Sequence, residues 1–73
     1  MSDEIVRAAR DYVRGRHVPD WPALLARLRD ATDSPEQKAF ADDVIACLTK
    51  EGKSPTRARA SVRSLLKRSG VTV

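Results

Sequence analysis

Apolar residues recur with a helical period in four separate stretches of this chain. No stretch sustains the two-residue alternation of a half-buried strand. The first runs from about Asp3 to Arg14, where Ile5, Val6, Ala9, Tyr12 and Val13 share one face. Ser2 stands at its N-cap, and Gly15 supplies the left-handed residue that ends many helices. In the connector GRHVPD, Pro19 disfavours helical geometry at Val18. Asp20 then predicts a helix start, because its carboxylate can accept from orphan backbone N–H groups; Pro22 is tolerated in the first turn. Trp21, Leu24, Leu25 and Leu28 form the inward stripe, Arg27, Arg29 and Asp30 look outward, and ATDSP closes the element.

Ser34-Pro35-Glu36-Gln37 is the sharpest start signal. Ser34 caps, Pro35 takes the first helical position, and Gln37 is placed to reach back and complete a capping box. Phe40, Val44, Cys47 and Leu48 face inward, Ile45 widens that stripe, and Gly52 ends the element after Thr49-Lys50-Glu51. Ser54-Pro55 repeats the device for a fourth helix reaching about Ser69, with Ala58, Val62, Leu65, Leu66 and Ser69 within about 100° of one another. Val71-Thr72-Val73 reads as a frayed tail or as a plug on the helix end. The four stripes and the short connectors predict one all-α domain over residues 1–73, a compact set of four short helices.

The last two helices, joined by Glu51-Gly52-Lys53-Ser54, are similar in layout to a helix-turn-helix over about residues 41–66. In that motif the second helix enters the major groove of DNA. Glu51 and Lys53 depart from the pattern, since apolar residues usually flank the glycine of the turn.

Length limits what else is available. A chain of 73 residues is near the lower size for independent folding, and one core rarely supplies more than roughly 3–5 kcal/mol at that size. Cys47 is the sole cysteine and His17 the sole histidine, so neither an internal disulfide nor a tetrahedral zinc set can form. A homodimer is one route to burying more apolar surface. The N-terminus lacks the features of a secretory signal, and the longest apolar run, Val44 to Leu48, has five residues against the roughly 20 of a membrane span. A cytoplasmic location is the expectation.

No catalytic constellation stands out, no cofactor is implied and no metal site is expected. His17 reads as a surface residue of a connector, and Cys47 as a small packing residue. Asp42-Asp43 reads as solvated surface, with docking of another chain's lysines as the alternative. The three glycines are scattered and form no phosphate loop. Trp21 reads as a core anchor, with an exposed contact as the alternative; Tyr12 reads as a core-edge residue whose hydroxyl reaches water. A non-enzymatic protein follows as the expectation.

Charge changes the picture. Lys53, Arg57, Arg59, Arg63, Lys67 and Arg68 give the last 21 residues +6 with no acid, while residues 1–52 carry eight Lys/Arg against ten Asp/Glu. Most of the six fall on the fourth helix, where Arg59, Arg63 and Lys67 form an i, i+4, i+8 row and Ala60, Ser61 and Ser64 are small. An ordinary exposed helix alternates signs at i, i+4; this one places like charges in a row and arginines near its positive end. Local rules broken together often mark functional demand.

The leading expectation is therefore a small nucleic-acid-binding protein, DNA before RNA and regulatory in type, with these six residues on phosphates. The alternative is a protein-binding modulator, such as an antitoxin or a phage-encoded inhibitor, docking on an acidic protein surface. Membrane association ranks third, because the fourth helix has no aromatic residue on its apolar face. The absence of Asn and Gln from that helix removes the usual readers of adenine, which leaves arginine for guanine or for phosphate.

Overall fold

A computed structural model of the chain describes residues 4–50 and 54–71. Among these residues there are four α-helices and no strand: α1 (Glu4–Val13), α2 (Trp21–Ala31), α3 (Pro35–Lys50) and α4 (Pro55–Arg68). The protein is all-α. Ser2, the Glu51-Gly52-Lys53 turn with its helix-ending glycine, and Thr72-Val73 lie outside the described residues.

Helix starts follow the sequence closely. Asp20 Oδ1 accepts from Ala23 N at 3.1 Å, Ser34 Oγ from Gln37 N at 3.3 Å, and Ser54 Oγ from Arg57 N at 3.4 Å. The capping box at α3 is only half made. Thr32 Oγ1 accepts from Ser34 N at 3.3 Å, so the donor that Gln37 was expected to meet is already engaged. Gln37 Oε1 is left buried without a partner.

Two helix ends share one motif. After α1, Gly15 has φ 94°, Gly15 N donates to Tyr12 O at 3.1 Å and Arg16 N donates to Asp11 O at 2.9 Å. After α4, Gly70 has φ 80°, Gly70 N donates to Lys67 O at 3.0 Å and Val71 N donates to Leu66 O at 2.9 Å. These are Schellman closures, in which a left-handed glycine lets two orphan carbonyls find donors. Val71 packs against the core and so acts as the plug. At α1 the same place is taken by an ion pair, Arg16 Nη1 to Asp11 Oδ2 at 2.9 Å.

Packing divides the bundle into two pairs, α1 against α4 and α2 against α3, closed by α3 on α4 and by α1 on α2 and α3. No Cα of α2 comes within 8 Å of α4. The core includes Ile5, Val13, Trp21, Leu25, Val44, Leu48, Val62 and Leu66, and no polar or charged residue is buried among the described residues. Ala8, Ala9, Ala41 and Ala58 are buried as well, and small side chains at these positions let the helices approach closely.

The bulkier Val6, Tyr12, Leu24, Leu28, Phe40, Ile45, Cys47 and Leu65 pack around this centre half-buried. Expected inward positions were therefore right in direction and shifted in detail. Ala8 and Ala41 are buried although neither was among the expected inward positions. Ser69 lies exposed as the C-cap of α4.

Candidate nucleic-acid interface

Along α4, hydrophobic spacing fixes which side faces outward. Ala58, Val62 and Leu66 are buried against the bundle, whereas Arg57, Arg59, Arg63, Lys67 and Arg68 are all exposed. Lys53 lies outside the described residues. At about 100° per residue, the side opposite the buried stripe is occupied by Thr56, Ala60, Ser64 and Lys67. The first three are small and exposed.

The cations do not form one ridge. Arg59 and Arg63 lie on one flank of this small-residue crest, Arg57 and Arg68 on the other, and Lys67 sits close to the crest itself. Arg57 is about 120° round the helix from Arg63, while successive members of the Arg59, Arg63, Lys67 row are about 6 Å apart along the axis. Sequence spacing already contains this division, with the small Ala60 and Ser64 between the two sets.

None of the five pairs with a carboxylate among the described residues. The ion pairs found there lie elsewhere: Arg16–Asp11, Arg29–Asp42 at 2.7 Å and Arg29–Asp30 at 3.5 Å. The Arg29–Asp42 bond ties α2 to α3: Arg29 is half-buried rather than simply outward, whereas Asp42 keeps the surface position expected of it while bonded to Arg29. The hydrogen bond from Arg29 to Asp42 is the main reason the guanidinium holds its proton even more firmly than usual.

Arg59 connects the helix to the end of α1. Burial raises the Tyr12 phenol above its ordinary value of 10.0, and the Arg59 charge opposes that rise. Tyr12 packs edge-on against Trp21, with ring centroids 5.5 Å apart and planes at 84°. Trp21 is 9% exposed, which makes it the expected core anchor.

The excess of basic residues extends beyond the C-terminal tail. Residues 4–17 and 54–71, which hold the packed α1–α4 pair, carry nine Lys/Arg against two Asp/Glu; residues 18–50 carry four against six. The contribution of Arg7, Arg10, Arg14 and Arg16 was diluted in the sequence by the acids of α2 and α3. Only the pairing of the first and last helices concentrates it.

Among the described residues, no group of three or more His, Cys, Asp and Glu side chains is placed to hold a metal ion, and no helix is long and apolar enough to cross a membrane. Cys47 is half-buried. No protein-family model, no curated protein and no solved structure matches this chain, so function has to be read from the geometry itself.

Proposed function

We propose that this protein is a non-enzymatic DNA-binding protein that lays α4 along the major groove, with arginines of both flanks on the phosphates of the groove walls. One observation carries the reading: a crest of small exposed residues between two cationic flanks, with no carboxylate of the described residues holding those cations. An α-helix with its side chains is about 10–12 Å across, and the B-form major groove is about 12 Å wide. Ala60 and Ser64 permit close approach, Arg57 and Arg68 reach one wall, and Arg59 and Arg63 reach the other. Guanidinium groups suit this role because they meet two phosphate oxygens in a fork.

The same geometry favours DNA over RNA, because the A-form major groove is too deep and narrow for a helix. Phosphate contact supplies affinity with little sequence information. Any base reading falls to arginine and to the serine hydroxyls, since α4 has neither Asn nor Gln.

A gel-shift assay with random duplex DNA at low salt tests the proposal. Retarded duplex is expected, with weaker retardation of an RNA duplex of equal length. Failure to shift DNA, combined with retention of one stoichiometric acidic protein from nuclease-treated lysate, would replace this reading with that of a protein-binding modulator.

A further inference from the structure

Beside the DNA-facing helix runs a feature that shares only Arg59 with the proposed DNA interface. Because α2 and α4 do not approach each other, their facing ends leave a trough over the Tyr12–Trp21 pair. Val18, Pro22, Leu48 and Pro55 line one section of about 240 Å³. A second section, of about 200 Å³, shares Tyr12, Val18, Trp21 and Pro55 with the first and ends at Arg16, His17 and Arg59. The two adjoin through these four shared residues. One end is apolar and the other is cationic.

We infer that this trough binds an acidic peptide segment of a partner protein through one apolar anchor side chain, with the flanking carboxylates on Arg59 and Arg16. Charge complementarity selects the occupant. Arg59 has no carboxylate partner among the described residues, and Arg16 is exposed while sharing one bond with Asp11. The capped start of α4 at Ser54-Pro55 adds the positive end of a 14-residue helix dipole on the same side. Asp20 lies in the apolar section. It repels an anion there, which fixes the anchor at that end and the acids at the other.

A nucleic-acid base fits less well. Stacking needs an open aromatic face, and Trp21 is only 9% exposed, with Tyr12 against it edge to face. The walls of the apolar section are mostly aliphatic and proline side chains, which suit a leucine or phenylalanine and offer little to the polar edge of a base.

Trp21 is the only tryptophan, so its emission reports on the trough. The probe is a synthetic peptide with one leucine between aspartates, titrated into the full chain beside the same peptide with serine in place of leucine. The leucine peptide is expected to change Trp21 emission and to bind at least about tenfold more tightly than the serine peptide. Pro22→Glu places a negative charge at the exposed rim, in a first turn where an acid is tolerated. It is expected to weaken the leucine peptide at least about tenfold while leaving helicity and duplex-DNA binding unchanged. Val18→Glu, in the connector, is the second variant and is expected to act alike.

Equal binding of the two peptides, or indifference to both variants, would overturn the inference and leave the DNA reading standing. A short oligothymidylate that changes Trp21 emission and displaces the peptide would also overturn it, assigning the trough to an unpaired base. Loss of DNA binding with peptide binding intact would remove the DNA reading alone.

Discussion

The two helix pairs of this bundle are built from similar parts and have different surfaces. Both bury aliphatic side chains completely, Leu25 and Val44 in one, Val62 and Leu66 in the other. Both begin a helix with a side-chain cap next to a proline. On the outside they diverge. In the α2–α3 pair, Arg29 bonds Asp42 across the interface, and over residues 18–50 the acids outnumber the cations. Over residues 4–17 and 54–71, which hold the α1–α4 pair, the cations outnumber the acids by seven, and those of α4 have no carboxylate partner among the described residues. Fold stability and surface charge are thus separable here: the core is shared, whereas the basic surface belongs to one pair.

Core truncation in either pair has the largest effect. Leu25→Ala in α2 and Leu66→Ala in α4 each remove a fully buried side chain and are expected to cost about 2–5 kcal/mol, a large share of the roughly 3–5 kcal/mol that a core of this size supplies. Denaturant unfolding followed by circular dichroism measures both. A large difference between them would mean that one pair dominates the fold.

Charge removal is expected to split the pairs. Replacing Arg59, Arg63 and Lys67 together by Gln should lower the salt slope of DNA binding by about 2 units, from the two arginines on the groove wall, with helicity and melting temperature nearly unchanged. The matched control, Arg27, Lys38 and Lys50 to Gln, removes the same net charge from exposed positions of α2 and α3 and should leave the slope alone. Equal losses from both triples would reduce the proposed interface to a net-charge effect.

A smaller contrast lies in thermal stability. Asp42→Asn removes the negative charge that pairs with Arg29 and should lower the melting temperature slightly at low salt, with the effect fading as salt rises. Arg63→Gln relieves repulsion within a row of like charges, so it should raise the melting temperature or leave it unchanged.

The four helices were legible in the sequence because each carries its own start signal and an apolar stripe of helical period, information that lies within a few residues. The exposed arginines of α4 were legible for the same reason, since the positions of Ala58, Val62 and Leu66 dictate where Arg59 and Arg63 point. What depends on distant pairing was not. The Arg29–Asp42 bond joins residues 13 apart in sequence, and no periodicity announces it. The trough over Trp21 needs α2 and α4 held apart by α1 and α3. Gln37 failed to complete its box because Thr32, ahead of the cap, provides a competing acceptor for the Ser34 N–H.

The smallest expected effect probes where the two ends of the α1–α4 pair meet. Tyr12 titrates above its ordinary value because burial disfavours the phenolate. The neutral form is therefore the one favoured by the fold. Its contribution to stability is complete below about pH 10 and is lost as pH rises through the folded-state value. Arg59→Gln removes a cation that favours phenolate, so ultraviolet titration of this single tyrosine should move to higher pH. An unchanged titration would mean that Arg59 does not overhang the end of α1.

The salt dependence of duplex-DNA affinity tests the central claim most directly. With five exposed cations on α4, four of them arginines on the groove walls, log affinity is expected to fall by about 4 units per unit of log salt, at about 0.9 per phosphate neutralised. No detectable binding at low salt, or an affinity that stays flat as salt rises, would contradict the account.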